Sequence, residues 1–457
     1  MNPSIFKAYD IRGLVPDEVN EEVVERIGRA FATHLRNETS KETVTLAVGQ
    51  DNRTHSPNLF AALTKGLIDA GANVVDIGLA STPFFYFAVS SLELDGGINV
   101  TASHNPPEYN GLKCVRKKAE PIGVESGLVE IQALALGSDT LVSPHKGVMS
   151  AQHILPDYVK KNCELIPLDD VSSLRVAIDT GNGVSVLMIE ELMRQHALSV
   201  LPLYFGLDGT FPNHLPNPLQ EKNIAVLKKT VVEQGCTCGI ALDADGDRSV
   251  FIDEKGCSVP SDILTALLAH ELLQTHPNES IVYDATSSWA TREAIVAGGG
   301  TPIISRVGHS FIKAVMKKEN ALFAGERSGH FYFRFGDLGY FEAPLLVINT
   351  VLNLLANSGA TLSSLIAPFQ KYAATGEINF EVADKTAMMR TIENTYHDAK
   401  NISHLDGVTI EYDDWWCNVR PSNTEPLLRL NLEAKSTELR DAKLKEITSI
   451  IQLSSLT

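Results

Sequence analysis

The chain is short of positive charge, of cysteine and of long apolar runs. Lysine and arginine together number 39 against 56 acidic residues, a formal charge of −17. A surface so acidic repels nucleic acid and anionic membranes, so neither is expected as a partner. Six cysteines in 457 residues are too few for a disulfide scaffold. No two have CxxC spacing and none joins a histidine in a zinc-site pattern, so reduced thiols in a cytoplasm are expected. The opening segment, MNPSIFKAYDIRG, lacks the apolar stretch of a signal peptide. No apolar run approaches the roughly 18 residues of a membrane span. Low-complexity segments are missing too. What remains is 44% hydrophobic and 21% charged, a globular balance whose length implies about three or four domains. With so acidic a chain, any phosphate site must concentrate basic groups locally.

The first two-thirds alternates strand-like and helix-like segments. Residues 44–50 (VTLAVGQ) are an apolar run ending at Asp51. Ser56-Pro57 then offers an N-cap and a first-turn proline, and Leu59, Leu63, Gly66, Leu67 and Ala70 follow at helical spacing, with Gly71 as a stop. NVVDIG (73–78) is a second strand. Strands apolar on both faces, linked by a helix, form a βαβ unit of a parallel sheet. LRVAIDTGNG (174–183) and IVYDATSS (281–288) repeat the strand, the terminal aspartate (Asp179, Asp284) and the small-residue turn. Asp51, Asp179 and Asp284 read as helix caps. After about residue 370, EINFEVAD, GVTIEYDD, WWCNVRPS and LLRLNLEAK alternate apolar and polar residues as half-exposed antiparallel strands do. The expected fold class is α/β: three related modules with mixed, largely parallel sheets, plus a C-terminal α+β domain. Expected domains are 1–149, 150–256, 257–367 and 368–457.

Four loops carry chemistry. In GGINVTASHNPPEYNGLK (96–113) a strand runs into a turn at Ser103, whose hydroxyl can project from the backbone; His104 and Lys113 can balance negative charge there. It is not the G-x-S-x-G elbow of hydrolases. In CGIALDADGDRSVFIDEKG (238–256), Asp243, Asp245 and Asp247 follow a strand at i, i+2 and i+4. Three carboxylates that close repel one another unless a cation sits among them, and hard oxygen ligands suit Mg²⁺. Arg248 adds a phosphate-facing cation. An EF-hand is excluded, because its sixth position needs glycine and Arg248 stands there. Asp243 as a phosphate-accepting nucleophile, in a phosphatase or phosphotransferase, remains open. RVGHS (306–310) with FAGERSGHFYF (323–333) supplies Glu326, Ser328 and His330 to grip sugar hydroxyls, and His309 as a second acid/base. In VRPSNTEPLLRL (419–430), Arg420, Ser422, Asn423 and Thr424 form a phosphate cradle. This is the local basic site that the −17 charge requires.

AYDIRG, TASHNPPEYNGLK, DADGDR, GERSGH and RPSNTEP, in this order across residues 8–426, resemble the α-D-phosphohexomutase superfamily, and within it the bacterial phosphomannomutase and phosphoglucomutase members. The resemblance implies four domains around a central cleft, each contributing one loop. It implies that Ser103 is the phosphorylated serine and that Asp243, Asp245 and Asp247 bind Mg²⁺ together with it. Glu326, Ser328 and His330 would recognise the sugar, with Gly308 and Arg248 also on the substrate, and Arg420, Ser422, Asn423 and Thr424 would hold the unreacting phosphate. Arg12, His104, Lys113 and His309 would line the catalytic cleft. The implied activity is exchange of phosphate between C1 and C6 of mannose, or of glucose or glucosamine, with a hexose 1,6-bisphosphate as intermediate and activator. The general base stays open among His309, His330 and Lys113. A cytoplasmic monomer or weak homodimer acting on a small phosphosugar is expected; an aspartate-dependent phosphatase or a non-catalytic binder is the reading from another class. Two positions depart from the family: Ala244 stands where glycine is common, and Arg327 where methionine often stands.

Overall fold

A computed structural model describes residues 1–422 and 427–454. The chain forms two compact units, Met1–Val259 with Ser328–Ser363, and Pro260–Arg327 with the residues from Ser364 onward. The first unit begins with β1 (Ile11–Leu14), α1 (Glu21–Thr39), β2 (Thr45–Gln50), α2 (Ser56–Asp69), β3 (Asn73–Leu79), α3 (Thr82–Ser91), β4 (Gly96–Val100), β5 (Tyr109–Arg116), α4 (Leu128–Leu136) and β6 (Met149–Ala151). Its sheet runs β1-β5-β4-β2-β3-β6. The strands β4, β2, β3 and β6 are parallel, and β5 runs antiparallel to both its neighbours, β4 and β1. Every residue of β4 is buried, as expected where helices cover both faces. Asn20 caps α1 by accepting the Val23 amide, and α1 turns Val24, Ile27, Phe31 and Leu35 into the core. Gly66 lets α2 lie against α1, since a Cβ there would sit 2.1 Å from the Glu25 carbonyl oxygen.

A second module in the same unit contains α5 (Leu155–Leu165), β7 (Arg175–Asp179), α6 (Val186–Gln195), β8 (Ser199–Leu203), α7 (Glu221–Glu233), β9 (Cys238–Leu242), β10 (Ser249–Ile252) and β11 (Ser258–Val259). The order is β11-β10-β9-β7-β8, with β8, β7 and β9 parallel. The chain then builds, in the second unit, α8 (Ser261–Thr275), β12 (Ser280–Asp284), α9 (Trp289–Ala297), β13 (Thr301–Ser305), α10 (His309–Glu319) and β14 (Phe323–Gly325). Here β13, β12 and β14 are parallel neighbours. It returns to the first unit for the antiparallel pair β15 (Phe331–Arg334) and β16 (Tyr340–Glu342) and the buried helix α11 (Pro344–Ser358). A short helix, α12 (Leu362–Ile366), follows.

The remainder of the second unit is α+β: β17 (Ala373–Glu381), α13 (Lys385–Thr395), β18 (Asn401–Ser403), β19 (Val408–Glu411), β20 (Trp415–Pro421), β21 (Leu427–Ala434) and α14 (Thr437–Ser454), with antiparallel order β17-β21-β20-β19-β18. The half-exposed pattern expected for these strands holds for β17 and fails for β20, buried from Trp415 to Arg420. Its polar residues find partners inside: the Asn418 amide donates to the Asp406 carbonyl at 2.8 Å, and Trp416 donates to Glu433 at 3.0 Å. Composition shows that a residue is polar but not whether a partner lets it be buried.

The three strand-end aspartates correct a second expectation. They do not cap the following helices, whose N-cap residues are His55, Ser185 and Ser288. Each organises its own loop instead. Asp51 accepts the amide of Arg53, Asp179 that of Gly181 and Asp284 that of Thr286, all at i+2, which is the Asx-turn bond. Ser56, expected as a cap, lies inside α2 and donates its hydroxyl to Asp51. The second Asp179 oxygen meets His214 Nε2 at 3.1 Å while His214 Nδ1 faces the Leu215 carbonyl at 2.9 Å. Burial opposes charge on that imidazole, and the bond and charge of Asp179 outweigh it, raising its pKa. Among the described residues no single helix is long and apolar enough to cross a membrane, and all six cysteines are free.

Candidate active site

The first unit gathers most of the sequence-derived candidates. Ser103 lies in the turn three residues after β4 and takes a left-handed backbone, φ 50°, a conformation costing about 1 kcal/mol for a residue with a Cβ. Its amide donates to Thr101 Oγ1 at 3.0 Å. Its hydroxyl lies 3.1 Å from His104 Nδ1 and 3.4 Å from Asp243 Oδ2. Burial, then the charges of Arg248 and Arg12, push the His104 pKa well down, so its imidazole is neutral. Arg12, on β1, donates to the Asn105 side chain at 2.7 Å and pairs with Asp10 at 2.5 Å.

The loop after β9 turns all three aspartates to one point. One oxygen from each of Asp243, Asp245 and Asp247 lies within 4.8 Å of the others, and all three residues are buried. Gly246 supplies the positive φ this turn requires, 66°, while Ala244 does not take a left-handed backbone. Alanine for glycine at 244 therefore carries no backbone strain, which answers the first departure. Lys113, buried on β5, reaches Asp245 at 2.7 Å and Asp247 at 2.5 Å. Burial disfavours its charge, yet the two carboxylates hold its pKa well above the usual lysine value. Thr82, at the start of α3, donates to Asp245 at 2.6 Å. Burial and the charges of Asp247 and Asp245 raise the Asp243 carboxyl well above its ordinary range. Asp247 is also desolvated, but Lys113 and His330 hold it well below that range.

These carboxylates fit a divalent cation. The site is buried, its donors are all hard oxygens, and Asp245 Oδ1 is buried with no hydrogen-bond partner. Asp247 Oδ1 likewise makes no hydrogen bond, though His330 Nε2 approaches it to 3.3 Å. Unsatisfied buried carboxylate oxygens are costly, and coordination to an ion such as Mg²⁺ satisfies them. Lys113 supplies the compensating charge in the arrangement seen. Lys113→Met is expected to destabilise the metal-free protein by about 3–5 kcal/mol, because it strands two buried carboxylates. A millimolar divalent cation should recover part of that loss in thermal unfolding, and an unchanged Tm would refute the pairing.

Arg248 donates its amide to Asp243 at 3.1 Å and its Nε to His330 at 3.3 Å. Ser328 Oγ lies 2.8 Å from His330 Nδ1, so these two stand beside the metal loop. In the second unit, Glu326 is buried and accepts the Gly308 amide at 2.7 Å. His309 opens α10. Arg327, the second departure, donates its amide to Asp284 at 2.7 Å and its guanidinium to the Thr286 carbonyl at 3.0 Å, bracing its own module. Arg420 lies next to the end of β20 and pairs with Glu377 at 3.0 Å, and its cross-strand neighbour Arg429 meets the other oxygen at 3.1 Å. Two arginines therefore share one glutamate. The Ser422 amide donates to the Leu427 carbonyl, while Asn423 and Thr424 lie outside the described residues.

Sequence reasoning missed Arg53, Thr82, Asn105, Glu377 and Arg429. Arg53 had a signal, two residues after a strand-end aspartate in the loop equivalent to those of the other modules. The others are set by pairings between distant segments.

The chain is similar to known proteins along nearly its whole length. Models of the phosphoglucomutase/phosphomannomutase family match domain I at residues 3–137, domain II at 156–256, domain III at 260–372 and the C-terminal domain at 377–448. A phosphomannomutase of Vibrio cholerae is 39% identical over 458 residues, covering 98% of each chain. A protein of Xanthomonas campestris pv. campestris named for phosphohexose mutases is 36% identical, covering 98% of this chain and 99% of its own. A crystal structure of a phosphoglucomutase/phosphomannomutase family protein from Burkholderia thailandensis superposes with a TM-score of 0.90 at 30% identity, covering 99% and 98% of the two chains. A serine hydroxyl set against buried carboxylates, on this succession of α/β modules, defines an intramolecular phosphotransferase acting on phosphohexoses. The chain belongs to the phosphoglucomutase/phosphomannomutase family.

Proposed function

We propose that the protein is a phosphomannomutase, interconverting mannose 6-phosphate and mannose 1-phosphate and acting also on glucose phosphates. The observation that carries the reading is Ser103: a buried hydroxyl on a left-handed backbone, 3.4 Å from Asp243 and in the same buried cluster as Lys113. Relatives named phosphomannomutase, 36–39% identical over nearly the whole chain, support mannose. Ser103 carries the phosphoryl group as phosphoserine. In the first transfer the Ser103 O–P bond breaks and a P–O bond forms to the free hydroxyl of the hexose phosphate, giving a hexose 1,6-bisphosphate, which also serves as activator. One proton passes, net, from the sugar hydroxyl to the Ser103 oxygen.

Asp243, Asp245 and Asp247 are the residues to hold Mg²⁺, which when bound neutralises negative charge on the transferring phosphoryl group. Lys113, held charged by two carboxylates, adds positive charge and is no base as it stands. That leaves His309 or His330 to take the hydroxyl proton. His104, neutral and 3.1 Å away, hydrogen-bonds to the serine oxygen, and Arg12 steadies the same loop through Asn105. We assign Glu326, Ser328, His330 and Gly308 to the sugar, Arg248 to its phosphate, and Arg420, Ser422, Asn423 and Thr424 to the unreacting phosphate. Domain limits of 1–149, 150–256, 257–367 and 368–457, a cytoplasmic location and a monomer or weak homodimer complete the reading.

The test is turnover of mannose 1-phosphate and glucose 1-phosphate with a trace of the matching 1,6-bisphosphate. Conversion of both, faster for mannose and lost in EDTA, is expected. Turnover of neither would refute the activity, and undiminished turnover in EDTA would refute the metal. The second reading, Asp243 as phosphate acceptor, gains from its place at the end of β9. An acyl phosphate there is cleaved by hydroxylamine, whereas a phosphoserine survives acid.

A further inference from the structure

Arg53 is among the largest fully buried side chains of the protein, 1% exposed. All five of its N–H groups face acceptors. Nε donates to Asp51 Oδ2 at 3.1 Å. Nη1 donates to the carbonyls of Pro106 at 2.7 Å and Tyr109 at 3.1 Å. Nη2 donates to the carbonyls of Ser103 at 2.6 Å and Asn105 at 2.7 Å. Four of the five acceptors therefore belong to the loop that carries Ser103. One planar guanidinium satisfies these carbonyls together.

The clamp is closed from the second module. The Phe211 ring lies 5.0 Å from the guanidinium carbon. The backbone at Gly209 crosses so near that a Cβ there would sit 2.2 Å from the Asn52 carbonyl oxygen and 2.6 Å from Arg53 Cα. Asn52 donates across to the Asn182 carbonyl at 2.8 Å. Arg53 touches none of the three clustered aspartates; it grips the backbone of Ser103 itself.

We propose that Arg53 is a positioning residue for phosphoryl transfer. By binding the carbonyl of Ser103 and three others of its loop, it holds the strained serine backbone that aims the hydroxyl at the aspartate cluster. The inference rests on the reading of Ser103 as the phosphate carrier. A lysine can satisfy at most three of these acceptors, and from a single point, so charge alone does not replace the fork.

The experiment compares Arg53→Lys and Arg53→Ala in the full chain, with Ser103→Ala as control. Misplacement of a reacting group by about 1 Å costs on the order of 100-fold. Both variants should therefore lose about 10- to 100-fold in kcat at nearly unchanged KM, with lower phosphate incorporation at Ser103. The Mg²⁺-induced rise in Tm should persist, because the aspartates are untouched. Guanidinium ion should restore activity to Arg53→Ala but not to Ser103→Ala. Wild-type kcat in Arg53→Lys, or no guanidinium rescue of a folded Arg53→Ala, would overturn the positioning role. If Ser103→Ala turns over normally, the phosphoserine reading fails instead. Should Arg53→Ala not fold, Arg53→Lys decides the matter through its kcat against KM.

Discussion

Ser103→Ala is expected to reduce kcat by about 10⁴-fold or more, the scale seen when a covalent acceptor is removed, while the protein stays folded. The hydroxyl makes only a long bond to Asp243, 3.4 Å, and one to His104 at 3.1 Å. Losing them costs about 1 kcal/mol, as a net hydrogen bond does. Alanine keeps the Cβ, so the left-handed backbone at φ 50° is no more strained than before. Turnover should vanish with Tm nearly unchanged, and label from the bisphosphate should no longer enter the protein. Near-normal turnover in this variant would remove the serine from the mechanism. Label appearing on Asp243, labile to hydroxylamine, would move the acceptor there.

Asp243→Asn should separate the two jobs of the aspartate cluster, binding a cation and remaining folded without one. Burial and the neighbouring charges of Asp247 and Asp245 raise the Asp243 pKa. A carboxyl with a raised folded pKa is most favourable protonated, so it destabilises the metal-free fold as pH climbs from the unfolded value, about 3.9, through the folded one. Asparagine cannot ionise and can keep an acceptor for the Arg248 amide, now bonded at 3.1 Å. The metal-free variant should therefore be at least as stable as the parent at neutral pH. A cation at 100 times its Kd stabilises its protein by about 2.7 kcal/mol, and the variant should lose most of that shift. Because a metal contributes several kcal/mol to charge stabilisation in a transition state, kcat should fall about 10³-fold. A variant with the parent's Mg²⁺-dependent Tm shift and rate would show that the cation, if bound, sits elsewhere.

Much of the site lay open in the chain because its parts are contiguous. Asp243, Asp245 and Asp247 fall within one loop after β9, so their spacing alone foretold a cluster that the fold brings within 4.8 Å. Ser103 follows an apolar strand directly, and its turn was visible from Thr101 to Pro106. The partners were hidden because they are remote in sequence. Lys113 meets Asp245 across 132 residues, His330 meets Arg248 across 82, and Arg53 meets Ser103 across 50. Other contacts are invisible to a strand pattern. The strand-end aspartates read as caps, yet their second oxygens reach Arg53, His214 and Arg327. The polar residues of β20 read as a solvent face, yet both are buried, Asn418 donating to the Asp406 carbonyl and Arg420 to Glu377 on β17.

By itself the sequence determined the α/β alternation, the antiparallel C-terminal region and the residue types of four chemical loops. These follow from apolar periodicity and from groups only a few bonds apart, which the chain cannot separate. Tertiary structure alone decided which charges neutralise which: Lys113 among the aspartates, Glu377 between Arg420 and Arg429, and Arg53 under the serine loop. A buried charge is tolerated only where a partner is delivered to it, and that delivery depends on how strands pair and modules pack.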